Sequence, residues 1–290
     1  MRARLPITKT PKCYVGGAFI RSESGRVTAL KRDGEFFANI PRCSRKDLRN
    51  AVEAAAKAGP GWAARTPYNR GQILYRLGEM LESRTAEMAA SIADATRGTT
   101  RQAAAEVAAT IDRLIYFAGW ADKFGQVLGA ANPVSGPFFN FTVCEAMGVI
   151  GVIADDRCPL LGLVTQLAPI IVSGNAVVAL ASERSPYPSI LFGEILAVSD
   201  LPGGVVNLLT GSRAELLSTF ATHAHLRGLD AVASPAEQKT LAVGSAESVK
   251  RTKLRTPATA DRAWSDPTHD TADAIRAFIE FKTVWHPIGA

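Results

Sequence analysis

The sequence predicts an α/β fold: a parallel sheet with helices on both faces, preceded by a helical N-terminal portion and accompanied by a β-flap. Two observations carry that prediction. Between Met147 and Val232, short apolar runs alternate with helical stretches, as expected of parallel strands joined by right-handed crossovers. Ahead of residue 131, apolar residues recur instead at helical spacing.

The elements follow in order. Ser44 and Asp47 have capping-box spacing ahead of Leu48, Val52, Ala55 and Ala56, so a helix is expected from about Ser44 to Ala58, with Pro60 and Gly61 stopping it. Further helices are expected over Pro67–Ser83, Thr85–Ala95 and Thr99–Phe124, the last with Val107, Ile111, Leu114 and Ile115 on one face. Near Asn132 the character changes. The stretch PVSGPFFNFTVCEA alternates aromatic and polar residues between Pro and Gly, which reads as an exposed strand or hairpin. Strands are then expected over Met147–Ala154, Ala176–Ala181, Gly204–Leu209 and Gly228–Val232, and Gly174-Asn175 ends the helix before the second of them. From Lys253 the sequence is polar and broken by Pro257 and Pro267, a linker pattern. Thr271–Phe281 reads as a final helix and Lys282–Ile288 as a final short strand. The organisation is thus a helical part over 1–131, a flap strand over 132–146, a βαβ core over 147–252, a linker over 253–270 and a terminal helix and strand over 271–290.

Composition bounds the function. A chain of 290 residues with 47% hydrophobic and 21% charged residues is of ordinary globular type. The net charge of +6 is spread along the chain without a basic, aromatic-interleaved groove, so no nucleic-acid partner is expected. Lys250, Arg251, Lys253 and Arg255 read as a solvated face. Cys13, Cys43, Cys144 and Cys158 lack C-x-x-C pairing, which argues against a zinc site and a disulfide framework and points to reduced thiols in the cytoplasm. No run is apolar and long enough to span a bilayer, and residues 1–12 carry no apolar leader core, so no membrane partner is expected. His223 and His225 read as loop residues, His269 and His286 are isolated, and no metal site is expected. No G-x-S-x-G elbow occurs.

The turn after the first core strand reads Asp155-Asp156-Arg157, at the place where open α/β sheets grip ligands. Two carboxylates there can satisfy the amides and dipole of the following helix. The turn is therefore expected to cap its own helix and to discourage a phosphate.

The ordered segments GVIGVIA, PLL, LAPIIVSGNAVVAL, SERSP, LPGGVVNLLTG and FKTVWHPIG, with YVGGAFI, AVEAAAKAGPGWA and YFAGWADK before them, resemble the aldehyde dehydrogenase superfamily along nearly the whole chain. The resemblance implies an α/β Rossmann-type fold with a β-flap of oligomerisation type. Members are NAD(P)-dependent enzymes that add a catalytic domain with a nucleophilic cysteine. Here the linker stretch leads directly to the family's C-terminal helix and strand, so the catalytic domain is expected to be missing. No cysteine follows Cys158, and the family's P-W-N-F-P turn, whose Asn serves the oxyanion, places Arg157 at the donor. Its E-L-G-G general base falls on Arg255, which stays protonated and cannot act as a base. No catalytic residue is carried over.

The cofactor motifs are damaged as well. K-P-S-E corresponds to Leu180-Ala181-Ser182-Glu183, and G-S-T-x-x-G to Ala233-Ser234-Pro235-Ala236-Glu237-Gln238, with both glycines gone. Ser182, Glu183 and Ser234 are what the resemblance leaves of an NAD(P) site, and no bound cofactor is expected. Phe138–Val143 and Lys282–Ile288 match the flap that joins a neighbour's sheet. The whole is most similar to the degenerate C-terminal half of the sixteenth family. The resemblance thus implies a pseudoenzyme that partners a full-length aldehyde dehydrogenase subunit or pairs with itself as a homodimer. The alternative is an NAD(P)-binding oxidoreductase with residual or partner-supplied activity.

Overall fold

A computed structural model describes residues 9–32, 34–266 and 271–289. Cys13–Val15 (β1) and Ala18–Ile20 (β2) form a tight hairpin, and Val27–Arg32 (β3) pairs with Glu35–Pro41 (β4) in a second one. Arg45–Ala63 (α1) starts on the expected capping box, in which Ser44 Oγ accepts from Asp47 N while the Asp47 carboxylate accepts from Ser44 N. It does not stop at Pro60 and Gly61. Proline costs the helix one backbone bond, whereas Trp62, fully buried, donates its Nε1 to Ile171 O at 2.8 Å and anchors the last turn. Tertiary packing overrides the local breaker.

Pro67–Glu82 (α2), Thr85–Thr96 (α3) and Thr100–Ala118 (α4) follow the periodicity, but α4 ends at Gly119, and Phe124–Leu128 (α5) is a separate turn of helix. Ala130–Asn132 (β5) and Phe138–Ala146 (β6) come next. The core then alternates Val149–Ile153 (β7), Leu161–Val172 (α6), Ala176–Leu180 (β8), Tyr187–Leu196 (α7), Val206–Leu209 (β9), Arg213–Thr222 (α8), Leu226–Val232 (β10) and Pro235–Ala246 (α9).

The stretch 253–270 is not a plain linker. Arg251–Arg255 (β11) pairs in parallel with β10, and Pro257–Ser265 (α10) packs Trp264 into the interior. An edge strand has one strand neighbour, so its polarity does not preclude pairing, and Pro257 opens the helix where its missing N–H costs nothing. Residues 267–270, including His269, lie outside the described ones. The last helix, Thr271–Arg276 (α11), is shorter than expected, and the last strand, Ile279–Pro287 (β12), starts earlier because Phe278 and Ile279 are buried.

The main sheet has the order β11-β10-β7-β8-β9-β1-β2, parallel from β11 to β9 and antiparallel at β1 and β2. Strand order reverses between β7 and β10, which makes their C-terminal ends the switch point of the sheet. Alternate residues of β7 feed two cores: Ile150 and Val152 pack with α2, α4, α6 and α7, and Val149 and Ile153 with α1 and α8. Covered on both faces, β7, β8 and β9 are wholly buried. A second sheet, β12-β6-β5, forms the flap, which reaches back to Ala130. Its full β12–β6 register sets Phe281, Thr283 and Trp285 opposite Cys144, Thr142 and Asn140 on one face, with Val284 opposite Phe141 on the other.

Candidate functional site

The switch point is bordered by the turns that leave β7, β8 and β10. Asp155, almost fully buried, uses Oδ1 to accept Arg157 N at 3.0 Å and Oδ2 to accept Trp264 Nε1 at 2.9 Å. Asp156 Oδ1 accepts from Ser182 Oγ at 2.8 Å and from the backbone N–H of Glu183 and Arg184 at 2.8 and 3.2 Å. The two carboxylates therefore bind a tryptophan and a neighbouring turn, and the expectation that they cap their own helix is corrected. The cap of α6 comes from α4: Glu106 Oε1 accepts from Leu160 N and Leu161 N at 3.0 and 3.1 Å. No local pattern identifies Glu106, since it lies a helix away in sequence. Its carboxylate takes the helix N-terminus that a phosphate would use. Beside it, burial and the Glu106 charge push the Cys158 thiol well above its ordinary range, so it is held protonated and a poor nucleophile.

Arg213 closes the crevice itself. Its Nη1 donates to Ala154 O at the end of β7 (3.1 Å), its Nη2 to Val232 O at the end of β10 (2.6 Å), and its Nε to Glu237 Oε1 (2.9 Å). Only 11% of the side chain is exposed. Glu237 is held in turn by Ser234, whose N and Oγ donate to Oε2 at 2.8 and 2.9 Å in a capping box that starts α9. Gln238 Nε2 donates to Ala233 O at 2.9 Å across the turn where glycines would leave open backbone. These residues fit a dinucleotide poorly: the Glu106 carboxylate already holds the first amides of α6, and Arg213 and Glu237 are committed to one another and to the ends of β7 and β10.

Ser182 and Glu183 are brought together, and Arg213 links Glu183 to the Ser234–Glu237 cap. Ser182 Oγ accepts from Ser185 N at 2.9 Å, and Glu183 Oε2 accepts from Arg213 N at 2.8 Å at the start of α8. Both line a 240 Å³ cavity with Thr28, Ile40, Arg42 and Thr210. Arg157 and Arg255 serve as clamps. Arg255 pairs with buried Asp230, which also accepts from Gln166 Nε2 at 2.7 Å. Arg157 pairs with Asp261 at 2.8 Å and reaches Pro257 O, tying the β7 turn to α10. Arg113 adds hydrogen bonds to Thr165 Oγ1 at 2.8 Å and Trp264 O at 3.4 Å. Among the described residues no three His, Cys, Asp or Glu side chains converge as metal ligands, and no helix is long and apolar enough to cross a membrane.

Solved structures share this architecture. The NAD+ complex of aldehyde dehydrogenase from Bacillus cereus superimposes with a TM-score of 0.81 at 24% identity, over 85% of this chain and 50% of that one. Putative aldehyde dehydrogenase DhaS of Bacillus subtilis (strain 168) is 27% identical over 250 residues, 84% of this chain and 50% of its own. Retinal dehydrogenase 2 of Gallus gallus is 32% identical over 231 residues, 78% of this chain and 43% of its own. The chain thus spans about half the length of the curated relatives it matches. The sequence model described as the aldehyde dehydrogenase family matches residues 19–281, and with the strand order and the crevice in view the conclusion is direct: this chain belongs to the aldehyde dehydrogenase family.

Proposed function

We propose that this protein is a non-catalytic member of its family, a pseudoenzyme of the kind seen in the degenerate half of the sixteenth family, and that it acts as a structural or regulatory partner of an active aldehyde dehydrogenase subunit in the cytoplasm. One observation carries the proposal: Arg213 and Glu237 fill the switch-point crevice with the chain's own charges. Arg157 and Arg255, at the positions matching the oxyanion donor and the base, are committed to Asp261 and Asp230 and hold α10 and β11 in place. On this reading the chain does without the catalytic domain, and β12, an edge of the flap sheet among the described residues, is offered to a partner's sheet. The partner is a full-length subunit, with self-pairing as the alternative.

A second reading, an NAD(P)-binding oxidoreductase with chemistry supplied by a partner, draws on the 240 Å³ cavity beside Ser182 and Glu183. Two measurements separate the readings. Affinity capture from the native cytosol with mass spectrometry, sized by light scattering, is expected to recover a full-length aldehyde dehydrogenase in fixed ratio. Calorimetric titration with NAD+ and NADP+ is expected to give no binding heat. Saturable binding of either nucleotide without a captured dehydrogenase overturns the partner proposal in favour of the second reading.

A further inference from the structure

Cys13 in β1 and Cys43, just after β4, take no part in the crevice. Both are buried, at 1% and 0% exposure, and their sulfurs lie 3.5 Å apart. Thr210 ties the pair to the 240 Å³ cavity it lines: its Oγ1 is 3.3 Å from Cys13 Sγ, and its carbonyl accepts Cys43 N at 2.9 Å. A disulfide holds its sulfurs about 2.05 Å apart, so the two must close by roughly 1.5 Å. Closing that gap calls for rotation of both side chains.

We propose that Cys13 and Cys43 are a redox modification site that forms a reversible intramolecular disulfide with a peroxide-class oxidant small enough to enter through the cavity. Cys13 is the attacking sulfur. The hydrogen bond from Cys43 favours its thiolate against burial, with help from Thr210, whereas the Cys43 thiol is held high by that same bond, by burial and by the neighbouring Cys13. The Cys13 sulfur attacks one peroxide oxygen, the O–O bond breaks, and the other oxygen leaves as water, which gives a sulfenic acid. Cys43 then attacks that sulfur, the S–O bond breaks, and the oxygen leaves as a second water. In sum, two thiols and one hydrogen peroxide give one disulfide and two waters. The sulfurs lose two electrons and the peroxide gains them.

The bond would tie the first strand to the start of α1. Its formation is read directly in the sequence, because trypsin places Cys13 in the peptide 13–21 and Cys43 in the peptide 43–45. Folded protein is exposed to hydrogen peroxide while circular dichroism is followed, then denatured, blocked with N-ethylmaleimide and digested without reductant. The expected product is the 13–21 and 43–45 pair joined with loss of two hydrogens, formed with the dichroism unchanged and released by dithiothreitol. Full alkylation of both cysteines after peroxide overturns the proposal. So does either cysteine appearing as a sulfinic acid or joined to Cys144 or Cys158, or a cross-link that forms only after the dichroism signal is lost.

Discussion

Arg213 is held through its side chain by three backbone or carboxylate partners at once, and replacing it with Met keeps an unbranched apolar stem while removing every side-chain donor. Ala154 O and Val232 O then lose their partner in a nearly buried place, and Glu237 its counter-charge. The expected loss for Arg213→Met is about 2–3 kcal/mol, read as a lower urea midpoint. The pH response changes with it. Burial alone would raise the Glu237 carboxyl, but the hydrogen bonds from Arg213 and Ser234 outweigh it and hold it below the usual range. A carboxyl depressed in the folded state contributes stability that is complete above its unfolded pKa, near ~4.3, and is lost as pH falls through the folded value. Urea midpoints from pH 7 down to pH 3 therefore fall in the parent and flatten in Arg213→Met. A second site stores strain. At the end of α6, Gly174 N donates to Ile171 O and Asn175 N to Ile170 O, with Gly174 at φ 96°. The same motif ends α9, through Val249 N to Ala246 O and Lys250 N to Ser245 O, but there a β-branched residue sits at φ 50° with its side chain in solvent. Val249→Gly is expected to stabilise by about 1 kcal/mol, visible as a higher melting temperature, since the relieved strain exceeds the added chain entropy. Neither Arg213 nor Glu106 was legible in the sequence as a crevice residue. Each acts on groups far away in the chain, and nothing in its neighbours marks the destination.

At the scale of elements, β12 is the test piece. Val284→Pro removes one N–H from the flap's outer strand, either a rung to β6 or an outward donor, and both are needed for a sheet that grows in trans. Light scattering is expected to show weakened assembly for Val284→Pro, while Ser182→Ala and Glu183→Ala assemble as the parent does. An equal mass for the proline variant and the parent would sink the flap proposal. Ser182→Ala still costs about 1 kcal/mol in a melt, because its hydroxyl joins Asp156 to Ser185 N. The helices show where local signals succeed. The capping box at Ser44 was readable because its partner lies three residues away. The end of α1 was not, because Trp62 finds its partner in Ile171. The polar strand β11 and the proline-led α10 were missed for a related reason: edge position and an N-terminal proline look like disorder until a neighbour is known.

For the whole molecule, the parallel core was legible because strands covered on both faces must be almost wholly apolar: VIGVI and AVVAL are, and VNLL carries one polar residue, Asn207, whose buried amide donates to Val177 O and Gly204 O. The closed crevice was not. It takes shape only where β7, β10, α4, α8 and α9 meet, and the sequence shows lost motifs there without showing what replaced them. The flap carries a further consequence. It is a three-stranded sheet with a nine-residue strand along one rim, Phe281 and Trp285 in part exposed, and no strand beyond it among the described residues. While a foreign sheet covers that rim, growth stops after one addition. On the partner proposal, when copies outnumber the subunits that would cover them, each rim is a template for the next, and stacking has no natural end. If the partner proposal holds, gene dosage is expected to govern solubility: made alone in excess the protein should cloud its solution, and made alongside an aldehyde dehydrogenase partner it should stay clear.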